Sequence, residues 1–341
     1  MMIASLKPIL GKGIALVAAF VIVWVLISTG VIGDYYQAVL ATICINIILG
    51  ASLNLITGFT GQFSLGHAGF MALGAYSTAL MILKFPNVWG FLGGLLIGAV
   101  IAAAMGVLIG LPTLRLRGDY LAIATLGMAE IIRVLLLNFK FTNGAAGLFG
   151  MARYASWPWL FVITAGSVIL IANFVRSAPG RNAIAVREDE IAAASIGVNV
   201  VKAKTMAFVV GAFFGGIAGG LYASYFYVVN PQSFGFLKSV NILVIVVLGG
   251  LGSLTGSVIS AILLSIIQSA LQDFPTIQMI IYAIILVLVM IFRPQGLMGD
   301  RELSSLVFRR FLPWRGRDPD PAEPIPQVAR VSEAEAEEVA P

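Results

Sequence analysis

The sequence predicts an all-α polytopic integral membrane protein of about ten transmembrane helices, eight at the fewest, with both termini in the cytoplasm. Three observations carry this reading. Of 341 residues, 59% are hydrophobic and only 11% are charged, whereas a soluble domain carries about a quarter charged residues to cover its surface. The mean hydropathy is +0.98, and the apolar residues form continuous runs rather than the ~10-residue alternating segments of a β-barrel. The net charge is +5, yet the basic residues never cluster with aromatics on a polar stretch, which excludes a nucleic-acid surface. Cys44 and His67 are the only residues of their types, so an internal disulfide and a Cys/His zinc centre are excluded as well.

A helical span needs about 20 mainly apolar residues. Runs that meet this requirement lie at 13–33, 36–57, 66–83, 88–110, 119–138, 157–175, 205–229, 237–252, 254–271 and 276–292. The first run is longer than the apolar region of a signal peptide and has no clear small-x-small exit, so it reads as an uncleaved helix. The stretch 237–252 is short, opens on Lys238 and ends in Gly249, Gly250 and Gly252, so 237–271 is either two crossings or a re-entrant pair buried by protein. Orientation follows from Lys and Arg in the loops. With the N-terminus inside, 16 of the 21 basic residues fall on the cytoplasmic side; Lys84, Lys140, Arg153 and Lys238 fall outside, and Arg133 lies within a span. Residues 1–299 form the permease domain, with a long interior loop at 176–204. Residues 300–341, with their prolines and the acidic run Glu333–Glu338, read as a solvated, disordered cytoplasmic tail.

Glycine spacing gives two patterns. Gly94 and Gly98 in the fourth span, and Gly211, Gly215 and Gly219 in the seventh, recur at steps of four. Each set therefore lies on one helix face, where another backbone approaches closely; the partner is either a helix of the same chain or a second membrane subunit. By contrast, TGFTGQFSLGHAGF (57–70) and GGLGSLTG (249–256) space their glycines irregularly among polar residues. Both read as breaks between helices, with free backbone groups beside a polar cavity. Gln62, Ser64 and His67 are substrate-path candidates on position, although a lone histidine there also fits a packed, hydrogen-bonded residue. Intramembrane polar groups are few: Asn46, Asn54, Glu130, Arg133, Asn241 and Gln268. Glu130 and Arg133 are three apart and can pair on one helix face, either as a structural ion pair or as part of the path. No chain of buried carboxylates suggests an ion-coupled pump.

In the interior loop, Glu188, Asp189 and Glu190 start a short helical pattern that Gly197 can end. Such a rigid element across the membrane face suits transmission of motion from a soluble partner. The segment resembles the EAA loop of ABC-importer permeases: Ala192, Ala193 and Gly197 keep its register, while Ile191 occupies the Glu position and Glu190 lies one residue early. Four blocks in order, 57–76, 111–135, 180–199 and 247–261, resemble the LivM-type permeases of branched-chain amino-acid ABC importers, over nearly all of 14–299.

The resemblance implies a multi-pass subunit of the bacterial inner membrane that binds no cofactor itself. Its implied partners are a LivH-type second permease, two cytoplasmic ATPase subunits that use the ATP, and a periplasmic binding protein that delivers leucine, isoleucine or valine. The implied coupling residues are Glu190, Ala192, Ala193 and Gly197. The same architecture carrying urea or another small amide is the alternative. A single-chain secondary transporter lacks the carboxylate relay, and a membrane enzyme would need a nucleophile or metal constellation that one His and one Cys do not supply.

Overall fold

A computed structural model describes residues 17–18, 20–113, 118–272 and scattered positions between 274 and 297. The tenth run (276–292), apart from four scattered positions, and the tail lie outside the described residues. The fold is helical. In order come α1 (20–28), α2 (Asp34–Thr57), α3 (His67–Lys84), α4 (Val88–Thr113), α5 (Asp119–Asn138) and α6 (Trp157–Arg176), then the short α7 (Ala178–Glu188) and α8 (Glu190–Ser195). They are followed by α9 (Val200–Phe226), α10 (Phe236–Gly249) and α11 (Leu254–Ala270). A two-residue antiparallel bridge, Leu148–Phe149 with Val228–Val229, is the one sheet among the described residues.

Five of the described helices, α2, α4, α5, α6 and α9, are long and apolar enough to cross a bilayer. The predicted boundaries hold to within a few residues wherever the chain is described. Two helices overrun their apolar run. α9 starts at Val200 because the Asn199 side chain caps its first turn, accepting from Lys202 N at 2.9 Å. α4 runs to Thr113 with Pro112 in its last turn. At 14 and 17 residues, α10 and α11 are shorter, about 21 and 26 Å at 1.5 Å per residue, and they form a hairpin through the turn at 250–253.

The centre of the bundle is α3, α4 and α9, and small residues bring their backbones together. Methyl groups at Gly74 and Gly219 would overlap the carbonyls of Gly216 and Met71. Gly94 and Gly98 of α4 lie against Thr78 and Gly74 of α3, and Gly106 faces Ala212 of α9. On α9, Gly211 meets Ile56 of α2, while Gly215 meets His67 and Phe70. In lipid no hydrophobic force separates a helix from acyl chains, so this close dispersion contact is what holds the helices together. The opposite pattern marks the periphery. Leu96 and Val100 on α4, Ile123 and Ile131 on α5, and Val162 and Leu170 on α6 are exposed apolar side chains suited to acyl chains.

Candidate functional site

Three groups of polar residues stand out in an otherwise apolar bundle. The first is the 176–204 segment, which builds two helices where the sequence suggests one. Ser177 caps α7, its Oγ accepting from Gly180 N at 3.4 Å, with Pro179 in the first turn. α7 ends at Glu188, so Glu188 closes this helix instead of opening the next, a correction to the predicted start. Asp189 turns extended and caps α8, its Oδ1 accepting from Ile191 N at 2.7 Å and Ala192 N at 3.0 Å. Gly197 ends α8 with φ +87°; its N–H donates to Ala194 O and that of Val198 to Ala193 O, both at 3.0 Å. This is a Schellman stop, whose left-handed residue is favoured as glycine. Ala193 is buried with Val186 and Ala203, whereas Ile191 and Ile196 are 81% and 77% exposed.

Side chains fasten this pair of helices to the bundle. Glu190 forms an ion pair with Lys204 at the start of α9. Arg187 donates from Nη1 to Gly58 O at 2.8 Å and pairs with Glu188. The same guanidinium lies so close to Gly252 that a Cβ there would stand 2.8 Å from Nη1. Arg187 therefore touches both predicted breaks at once. The breaks are themselves tied together by Asn54, which is fully buried. Its Oδ1 accepts from Gly252 N at 2.9 Å, and its Nδ2 reaches Ser257 Oγ at 2.7 Å, Ser253 O at 2.9 Å and Gly250 O at 3.3 Å. A cavity of about 440 Å³ lies between this loop and the first break, bordered by Thr60, Gln62, Phe63, Arg187, Asp189 and Ile191. Gln62 donates to Thr60 Oγ1 and Lys204 O, and its buried Oε1 has no partner among the described residues.

The second group is packed. His67 opens α3 with no exposed surface, and its Nε2 lies 2.8 Å from Ser52 Oγ. Since the Ser52 hydroxyl donates to Leu49 O at 3.1 Å, its oxygen is free to accept the imidazole N–H. Phe70 and Gly215 close the remaining space. Ser64 is buried and accepts from Gly66 N at 3.4 Å. Neither residue borders a cavity described here.

The third group lies at the other end of α10. Arg133 donates from Nε to Glu130 Oε2 at 2.6 Å, and the pair borders a cavity of about 380 Å³ together with Gln232, Lys238 and Asn241. The five substrate-path candidates are thus not brought together: Gln62 faces one cavity, Glu130 and Arg133 another, and Ser64 and His67 neither. Sequence reasoning set Lys238 at the head of the eighth run, on the outer side, and did not name it as a candidate. The structure places it in the first turn of α10, beside this cavity and a second of about 220 Å³ that Asn46, Tyr222 and Gln268 also line. The available signal was a lysine next to Leu237 at the head of an apolar run.

Comparison with known proteins agrees with this architecture. The family model described as branched-chain amino acid transport system / permease component matches residues 35–292. The chain is 40% identical over 289 residues to the high-affinity branched-chain amino acid transport system permease protein LivM of Escherichia coli K12, covering 74% of this chain and 68% of that protein. It is 22% identical over 286 residues to the corresponding LivH of the same organism, covering 76% of this chain and 92% of that protein. A third relative, BraD of Pseudomonas aeruginosa, is 29% identical over 174 residues, half of this chain and 56% of BraD. No solved structure gives a significant match.

Proposed function

This chain belongs to the branched-chain amino acid transport permease family, and on that premise we propose that it is one of two membrane-spanning permeases of an ATP-driven importer of leucine, isoleucine and valine. The similarity to both LivM and LivH supports a permease pair, in which this chain takes the LivM place. It is a transporter subunit and not an enzyme. Two cytoplasmic ATPase subunits hydrolyse the ATP, and a periplasmic binding protein delivers the substrate at the other face of the inner membrane. The chain crosses ten times with both termini in the cytoplasm, an orientation that puts 16 of 21 basic residues inside.

The observation that carries this reading is the attachment of α7 and α8. A six-residue helix capped at both ends presents Ile191 and Ile196 outward, away from the bundle, the pattern of a small apolar patch rimmed by charge that docks a protein. That helix is held by Glu190–Lys204, and the helix before it by Arg187 on Gly58 and Gly252. A push from a soluble partner on α8 therefore arrives at both helix breaks without passing through a flexible linker. Gly197, Ala192 and Ala193 form the rigid body of this lever, and Glu190 and Arg187 are positioning residues.

The test is ATP-dependent L-leucine uptake by the reconstituted complex, with Gly197→Arg and Gly197→Ala. At φ +87°, any L side chain strains the backbone by about 1–2 kcal/mol, and open space surrounds the position, so both variants insert and fold. Gly197→Ala carries the strain alone and keeps most of its uptake. Gly197→Arg adds a long charged side chain to the docking face and loses coupling. Wild-type uptake by Gly197→Arg would remove the coupling role from this segment.

A further inference from the structure

We infer that Lys238, at the head of α10, holds the carboxylate of the transported amino acid; the inference rests on the reading of this chain as an amino-acid permease and names the residue that tells such a substrate from a neutral amide. The depth of Lys238 follows from the contacts of α10. Asn46 shares a narrow gap with Lys238 and Asn241, Gly50 packs against Ile245, and Asn54 bonds Gly250. α10 therefore runs beside the second half of α2, and its first turn lies level with Asn46, the middle residue of a 24-residue helix. Between α9 and α10 the chain is not α-helical, yet Val229 and Phe234 are buried, and Phe234 packs on Tyr76 and Tyr222. Irregular backbone at that depth is tolerated where it is enclosed by protein or lines a polar cavity.

Two cavities meet at Lys238, and their chemistry is specific. The ammonium group forms no hydrogen bond or ion pair among the described residues. Among the described residues, the one carboxylate that borders the larger cavity, Glu130, is already engaged by Arg133 at 2.6 Å. The lining therefore carries one uncompensated positive charge, which is costly within a membrane unless a ligand answers it. No side chain caps the first turn of α10 at Gly235, so its amide groups and the positive end of the helix dipole add to the preference for an anion. The amide side chains of Gln232, Asn241 and Gln268 are likewise without partners among the described residues, and their oxygens suit a ligand ammonium. Ile45, Met71 and Phe226 complete the smaller cavity with apolar surface. Carboxylate, ammonium and aliphatic chain are each matched, as an aliphatic zwitterionic amino acid requires. Urea or another neutral amide has no group that needs the lysine.

Two measurements on the assembled complex in proteoliposomes test this. In the first, L-leucine uptake driven by ATP is compared for wild type, Lys238→Met and Lys238→Arg, with the thermal melt of each complex recorded to separate folding from function. Lys238→Met is expected to lose about tenfold or more at sub-saturating leucine, the scale of one charge-assisted hydrogen bond, with an unchanged melt, and Lys238→Arg to recover part of it. In the second, the wild-type complex is acetylated with a small amine-specific reagent and Lys238 modification is read by mass spectrometry. L-leucine should protect Lys238, leucinamide at the same concentration should not, and exposed Lys202 should be modified equally in both. Full leucine uptake by Lys238→Met, or equal protection by leucinamide, overturns the assignment and leaves the importer function standing. A wild-type complex that carries no branched-chain amino acid overturns that function, and the subsite with it.

Discussion

Replacing Asn54 with leucine tests whether the two helix breaks are one structural unit. The substitution keeps the volume and removes every polar contact of a side chain with no exposed surface. Not all of those contacts are equal. Ser253 O also accepts from Ser257 N and Ser257 Oγ at 3.1 Å, and Gly250 O also accepts from Ser253 N at 3.2 Å, so both carbonyls keep a partner. Ser257 Oγ keeps Ser253 O as an acceptor. Gly252 N–H has no acceptor other than Asn54 Oδ1 among the described residues, and it is the group left without a partner. One orphaned buried donor costs about 1–3 kcal/mol, and the other side-chain bonds add about 0.6 kcal/mol each on the scale measured between membrane helices. The expected destabilisation of Asn54→Leu is therefore about 3–5 kcal/mol. Reversible unfolding in mixed micelles, followed by far-ultraviolet circular dichroism, measures the cost. Amide exchange at Gly252, read by mass spectrometry, locates it. Asn54→Asp retains the acceptor for Gly252 N–H and should protect that amide even though the donations are lost. If Asn54→Leu unfolds within about 0.5 kcal/mol of wild type, the margin of an ordinary surface substitution, and Gly252 exchanges at an unchanged rate, the breaks are not joined through this residue.

Glycine substitutions should separate by their surroundings. Gly74→Ala and Gly219→Ala put a methyl group into a backbone carbonyl of a neighbouring helix, and each should cost about 3 kcal/mol or more, at the upper end of overpacking. Gly127→Ala and Gly166→Ala face open space and should be neutral or gain up to about 1 kcal/mol; equal melts for all four would refute the close helix contacts. For sidedness, Cys44→Ser gives a background without cysteine, and Ala145→Cys and Ser195→Cys place single thiols at exposed positions in opposite loops. An impermeant maleimide applied to intact spheroplasts should label Ala145→Cys only, and the reverse pattern would invert the topology.

The spans were legible because in lipid each must satisfy its own backbone, which forces about 20 apolar residues into one uninterrupted run. The end of α8 was legible for an equally local reason: Gly197 supplies a left-handed stop that few other residues tolerate. α7 was hidden because Pro179 and Gly180, which read as loop residues, occupy its first turn. There the proline needs no amide donor, and Gly180 fits under the Phe174 carbonyl. The glycine faces were visible on the sequence, but their partners were not. Spacing specifies a face of a helix, whereas which helix covers it is a property of the assembled bundle. The place of Lys238 at the head of its helix was legible in the same way, but its depth was not: that depends on how the segment 227–235, in which Val229, Pro231 and Phe234 are buried, joins α9 to α10.

These observations converge on α10. At 14 residues it is a single short rod with no proline and no break. Its first two turns carry Lys238 and Asn241 to the cavities, and its last residue, Gly249, crosses Gly256 so closely that their backbones touch. The turn that follows is held from one side by Asn54 and pressed from the other by Arg187. Packed helices respond to force by shifting as rigid bodies, because close-packed interiors deform little. On the proposed reading, a displacement of α7 relative to α2 enters the bundle through α9, which α7 and α8 contact directly, and through Gly252 into α10, whose far end carries the lysine. On this reading, α7 and α8 are the lever outside the membrane, α10 is the rod inside it, and Lys238 is the charge at its far end that the substrate holds.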